Sequence, residues 1–215
     1  MSRLHRLAVA SIALGVFIQT CRAGSAAPAR AEAEKGIASI VAILGDRNLS
    51  AEQRAEKMKA TVEDWLDFET LSRLSLGGAW RDLSDAQRNS FVGEFRQHMV
   101  GVANKSTKGY DDEQVIILND RQEPKGDWTV MTTILKKPKD GVQEEVAKVD
   151  FRLRLKEDRW KVIDINIAGI SMAATFRAQF LVIMKDGGID KLLKMMREKN
   201  AANPEKPTRT ADADK

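Results

Sequence analysis

The sequence has one cysteine, two histidines and one tyrosine in 215 residues. A single cysteine excludes an internal disulfide, and it excludes every metal site built from two or more thiolates. No apolar run approaches the twenty or so residues needed to cross a bilayer as a helix. Three zones of an export signal stand at the start: basic Arg3 and Arg6, an apolar stretch Leu7–Ile18, and small residues from Ala23 onward. Residues 1–31 are therefore read as a cleavable signal peptide, with the cut after Ala23, Ala26 or Ala31. Cys21 follows the apolar run as a lipoprotein cysteine does. Thr20, however, precedes it where Gly or Ala is expected, so ordinary cleavage is the reading.

Removing the signal changes what the composition means. The whole chain carries 35 basic and 31 acidic residues, a formal +4. A cut after Ala31 takes Arg3, Arg6, Arg22 and Arg30 and no acid, leaving a balanced chain of 184 of the 215 residues. Nucleic acid is excluded as a partner on this ground, because dense phosphate neutralisation needs a net basic face. Cys21 and His5 leave too, and only His98 remains for acid–base work near neutral pH.

Hydrophobic spacing then divides the chain. Ile37, Ile40, Val41 and Leu44 recur at helical intervals before Gly45. Ser50/Gln53 and Ser84/Gln87 have capping-box spacing, the first opening a helix to about Leu66 and the second a helix with Phe91, Phe95, Met99 and Val102 on one stripe. A short helix is expected over Phe68–Leu76, with Gly77-Gly78 as a turn. Past Tyr110 the period falls to two, with strands near Gln114–Asn119, Trp128–Lys136, Gln143–Lys156 and Trp160–Ala168. In the third, Val149, Phe151, Leu153 and Leu155 share one face, with Lys148, Asp150, Arg152, Arg154 and Lys156 on the other. Ser171 caps a helix to about Lys185, Gly187-Gly188 interrupts it, and Ile189–Glu198 resumes it; residues 199–215 read as a disordered tail. The order of elements is that of an α+β domain over 32–198, a four-stranded antiparallel sheet with helices on one face.

Familiar catalytic motifs are missing: no His-Glu-x-x-His, no Gly-x-Ser-x-Gly and no phosphate-binding glycine loop. Asp64, Asp67, Glu69, Asp150 and Asp164 are the carboxylates a paired-acid hydrolase would draw on. All but Asp164 lie in mixed charge runs, and Asp164, between Ile163 and Ile165, reads first as a satisfied structural group. What stands out is apolar surface on the Phe91–Val102 stripe, on the third strand, and at Phe176, Phe180, Leu181 and Met184. Periodicity alone leaves open whether it fills a core or lines a cavity.

Several runs carry a resemblance. They are Phe68 with Leu74-Ser75-Leu76-Gly77 and Trp80-Arg81, Ser84–Gln87 with Phe91 and Phe95, Trp160-Lys161-Val162 with Asp164, Gly169-Ile170-Ser171, Phe176-Arg177 with Gln179-Phe180, and Gly188-Ile189-Asp190. In order and spacing the chain resembles the MlaC family from about Ile37 to Glu198. The resemblance implies a curved sheet like that of nuclear transport factor proteins, a helical subdomain, and an apolar cavity between them that holds phospholipid as cargo. It further implies a periplasmic carrier without enzymatic activity or cofactor, working between an outer-membrane lipoprotein–porin complex and an inner-membrane ABC lipid transporter; a related branch, HpnM, accompanies hopanoid synthesis. On this reading Phe91, Phe95, Met99, Phe151, Leu153, Ile165, Ile167 and Phe180 line the cavity, and Arg177, Lys136 and Lys137 are candidates for a head group or partner. Phe176 stands where the family usually has Tyr before Arg177, which removes that hydroxyl from any role here. No metal site is expected.

Overall fold

The structure, a computed structural model, describes residues 26–106, 110–136, 138 and 142–202. The apolar segment read above as an export signal, Lys137 and the chain from residue 203 lie outside the described residues.

Among the described residues are five α-helices and a five-stranded sheet. Helix α1 (Ala26–Gly45) ends where the guanidinium of Arg54 donates to the carbonyls of Ile43, Leu44 and Asp46 at 2.5, 2.7 and 2.8 Å. These are groups that a helix C-terminus leaves without internal partners. Both capping boxes form. Gln53 N–H donates to Ser50 Oγ at 3.1 Å and Ser50 N–H to Gln53 Oε1 at 2.9 Å, opening α2 (Ala51–Trp65). The same pair of bonds joins Ser84 and Gln87 ahead of α4 (Asp85–Ser106). Between them lie α3 (Phe68–Leu76), capped by Asp67, and a 3₁₀ turn, Gly77–Asp82.

Strands β1 (Gln114–Gln122), β2 (Trp128–Leu135), β3 (Glu145–Lys156), β4 (Arg159–Ile167) and β5 (Ile170–Ser171) form an antiparallel meander in sequence order. The sheet therefore has five strands where four were expected. The added one is two residues long, below the length at which any period shows. Register shifts at Ile117/Asn119, Ile134/Leu135 and Arg152/Leu153 are bulges, which bend a sheet and increase its twist. The curved face carries rows of facing residues: Val130, Phe151 and Ile165 in one, Thr132, Val149 and Ile167 in the next.

Helix α1 packs on the sheet through Ala29 and Ala33, both fully buried. A parallel bridge between Leu66 and Val162, with Asp67 N–H on the Val162 carbonyl at 2.9 Å, fastens the α2–α3 junction to β4. Helix α5 (Met172–Ala201) is one element with a kink at Gly187-Gly188, and Gly188 has φ 66° and ψ −165°, a conformation open only to glycine. Its first half packs Phe180 into the core, and its second half buries Ile189, Leu192, Leu193 and Met196.

Candidate functional site

On α4, Phe91 and Phe95 stack at 5.5 Å one helical turn apart and are wholly buried, with Met99 continuing the row at 4% exposure. Helix α5 brings Phe176 and Phe180 against them. Phe180 meets Phe91 edge-on at 5.6 Å, and Phe176 meets Phe95 at 5.0 Å. Edge-to-face pairs at such distances contribute about 0.5–1.5 kcal/mol each beyond the area they bury. His98 closes this cluster, its ring edge-on to Phe176 at 5.8 Å. Burial lowers its pKa below the ordinary histidine value, and the positive charges of Lys199 and Lys105 lower it further.

The sheet supplies a second group. Leu153 is fully buried, Phe151 and Ile165 are half-buried and face one another, and Ile167 is 47% exposed. Trp65, at the end of α2, packs its ring 4.9 Å from that of Phe151. The eight predicted lining residues thus fall into a helical set (Phe91, Phe95, Met99, Phe180) and a sheet set (Phe151, Leu153, Ile165, Ile167). All but Ile167 belong to, or pack against, one contiguous core. Leu155, expected on the apolar face, is 52% exposed at the far end of β3.

Polar groups are placed structurally. Arg177 Nε donates to the Leu74 carbonyl at 2.8 Å, so this side chain closes the end of α3 from α5. Lys136 pairs with Glu144 at 2.8 Å across the β2–β3 connection. Asp164 is 6% exposed and accepts from Ser171 Oγ at 2.5 Å and from the N–H groups of Ala173 and Ile165 at 3.0 and 2.9 Å. It is a capping carboxylate, with no second acid among its hydrogen-bond partners. Asp64 accepts from Arg159, and Asp67 from Thr70 and Lys156. Among the described residues no group of His, Cys, Asp or Glu could hold a metal ion. Two clefts of about 480 and 260 Å³ open on the surface with charged rims, the larger beside Lys156 and Asp67 and the smaller beside Glu32 and Trp65.

Sequence reasoning missed three features. Asp127 is fully buried under Arg152 and Arg154, which both donate to it at 2.6 Å. Arg30 on α1 reaches Asp120 at 3.0 Å, whose other oxygen accepts the Trp128 indole N–H at 2.9 Å. Trp65 backs the sheet face. Only Trp65 carried a signal, a large apolar residue at the end of a predicted helix.

Fold and interior together define an α+β domain in which a curved, unclosed antiparallel sheet and a pair of aromatic-rich helices share one apolar interior. Comparison then gives the family. The sequence model described as MlaC protein matches residues 34–198, and the chain belongs to the MlaC family. The fold is similar to that of a phospholipid-binding protein from Ralstonia solanacearum, solved in complex with a phospholipid. Its TM-score is 0.66 at 23% identity, covering 81% of this chain and 97% of that one. No curated protein matches.

Proposed function

We propose that the protein is a periplasmic phospholipid carrier, exported by its N-terminal signal. It exchanges lipid between an outer-membrane lipoprotein–porin complex and an inner-membrane ABC lipid transporter, and it has no enzymatic activity of its own. The observation that carries the proposal is the shared interior between the α4/α5 aromatic cluster and the sheet face, in a chain of the MlaC family. The phospholipid bound to the Ralstonia solanacearum protein supports the choice of cargo.

Moving acyl chain into water costs roughly 0.8 kcal/mol per methylene, so a sixteen-carbon chain costs on the order of 12 kcal/mol and two chains about twice that. A carrier needs apolar lining on that scale and no reacting group. Phe91, Phe95 and Leu153 are packed against protein atoms in this structure, so loading separates the helical set from the sheet set and replaces side-chain contacts with hydrocarbon. Such an exchange keeps the free energies of empty and loaded protein close, as reversible delivery requires.

Native mass spectrometry of protein purified from the periplasm, followed by organic extraction, tests the reading. Stoichiometric phospholipid is expected. Recovery of hopanoid would reassign the cargo, and recovery of no lipid under gentle conditions would reject the carrier.

A further inference from the structure

The apolar face of the sheet continues beyond the core. Ile167 stands opposite Val149 on β3 and opposite Ile170 on β5, so the three side chains share one face. One row inward on that face, Ile165 faces Phe151, and Phe151 faces Val130. Along this line exposure falls from 65% at Ile170 and 47% at Ile167, through half-burial at Val149, Ile165 and Phe151, to 0% at Val130.

The outer end of the line is a tight turn. Ala168 and Gly169 turn with φ of 50° and 80°, the geometry of a two-residue hairpin turn that matches the twist of its strands. Ala168 adopts it despite its Cβ, and its N–H is held on the Lys148 carbonyl at 2.9 Å. All four residues of the run Ile167–Ile170 are apolar and exposed. Scattered surface isoleucines are ordinary; Ile167 and Ile170 instead are continuous, residue by residue, with the apolar face that enters the interior.

We infer that the β4–β5 turn is the port at which an acyl chain passes between the interior and an apposed lipid surface. Ile170 and Ile167 are the first side chains it meets, and Val149, Ile165 and Phe151 lead it inward. This rests on the carrier reading. A chain that slides along such a track exposes only a few methylenes at a time, at roughly 0.8 kcal/mol each, instead of the whole chain at once.

The test is the rate at which the exported protein takes a fluorescent phospholipid from vesicles of phosphatidylethanolamine and phosphatidylglycerol. In Ile170→Asp, the initial rate is expected to fall at least about tenfold while the amount bound at equilibrium stays within about twofold. Val182→Asp, at an apolar position of α5 that is 69% exposed, is expected to leave both unchanged. A rate within about twofold of the parent protein overturns the port, as does equal slowing by Val182→Asp. A matching loss of equilibrium binding also overturns it, by assigning Ile170 to the site itself. Ile170→Ser repeats the test if Ile170→Asp is poorly folded. Failure of the parent protein to take up any lipid is a separate outcome, which rejects the carrier reading and the port with it.

Discussion

An ideal Cβ on Gly36 would lie 2.3 Å from Cε2 of Trp65 and 2.7 Å from its Cζ2, so α1 and the end of α2 meet only because residue 36 has no side chain. Trp65 is 3% exposed and backs Phe151, so the close approach also fixes one wall of the interior. Gly36→Ala gains up to about 1 kcal/mol of helix propensity. Overpacking against a buried indole costs about 1–3 kcal/mol or more. A net loss of about 1–2 kcal/mol is expected in urea denaturation, larger for Gly36→Val. A stability equal to or above that of the parent would show that the ring has room to move.

Asp127 holds two arginines at once. Burial pushes its carboxyl toward a higher pKa, but hydrogen bonds from Arg154 and Arg152 outweigh that and hold it below the usual aspartate range. The folded state then binds a proton less readily than the unfolded one. The stabilisation is complete above the unfolded value of about 3.9 and is lost as pH falls through the lower folded value. Asp127→Ala is expected to cost about 2–4 kcal/mol, because it strands two cations that are only partly exposed. Asp127→Asn should flatten the acid limb of stability below about pH 4. An unchanged acid limb would assign acid unfolding to other carboxylates.

His98 behaves as a second, higher-pH group. Burial lowers its pKa in the folded state, with Lys199 and Lys105 acting in the same direction. Above the unfolded value of about 6.5 it adds no pH dependence. Below that value the unfolded chain takes up the proton first, and stability declines until the folded pKa is reached. Denaturation midpoints of the protein and of His98→Gln, followed from about pH 7 downward, should diverge in slope. Parallel curves would place His98 in a better-solvated setting than the fold gives it.

Phe95 touches Phe91, Phe176 and Phe180 and has no exposed surface. Phe95→Ala is expected to cost about 3–5 kcal/mol. Ile167→Ala, on a side chain that is 47% exposed, should cost about 0.5 kcal/mol or less. Similar losses at the two positions would contradict the division between a closed helical set and an open sheet edge.

The expected cleavage of the N-terminal signal can be set against the fold. Ala29-Arg30-Ala31 has the small-x-small pattern of a cleavage site. Yet Ala29 is fully buried, and Arg30 makes the contact with Asp120. Cleavage upstream of Ala29 is therefore expected, leaving 32 basic against 31 acidic residues. Intact-mass measurement of the exported protein decides it, and a chain beginning at Glu32 would contradict the expectation.

The starts of α2, α4 and α5 were legible because capping is local, whereas α1, expected from about Ala33, begins at Ala26. Ser50 with Gln53, Ser84 with Gln87, and Ser171 with Ala174 N–H all act within three residues. The meander was legible because turns and period-two runs are local too. Contacts set by register were not. Strand alternation sends Arg152 and Arg154 toward water, and only the pairing of β2 with β3 brings Asp127 beneath them. The lining residues could be chosen by type, but their separation into two sets depends on which helix faces which, and a single stripe does not encode that. Arg30 was assigned to the export segment by composition, while its partner lies ninety positions away.

Gly188 gives α5 one further property. Because its backbone leaves helical geometry there, the hydrogen-bond ladder of the first half does not run into the second. The first half is held by Phe176, Phe180 and the Arg177 bond to Leu74. The second is held by Glu94, which receives Arg197 Nε and the Asn200 amide, each at 3.0 Å. Amide exchange along α5 should therefore show two protection plateaus divided at residue 188, since each half opens with its own free energy. The half nearer the sheet can then loosen while the other keeps its grip on α4.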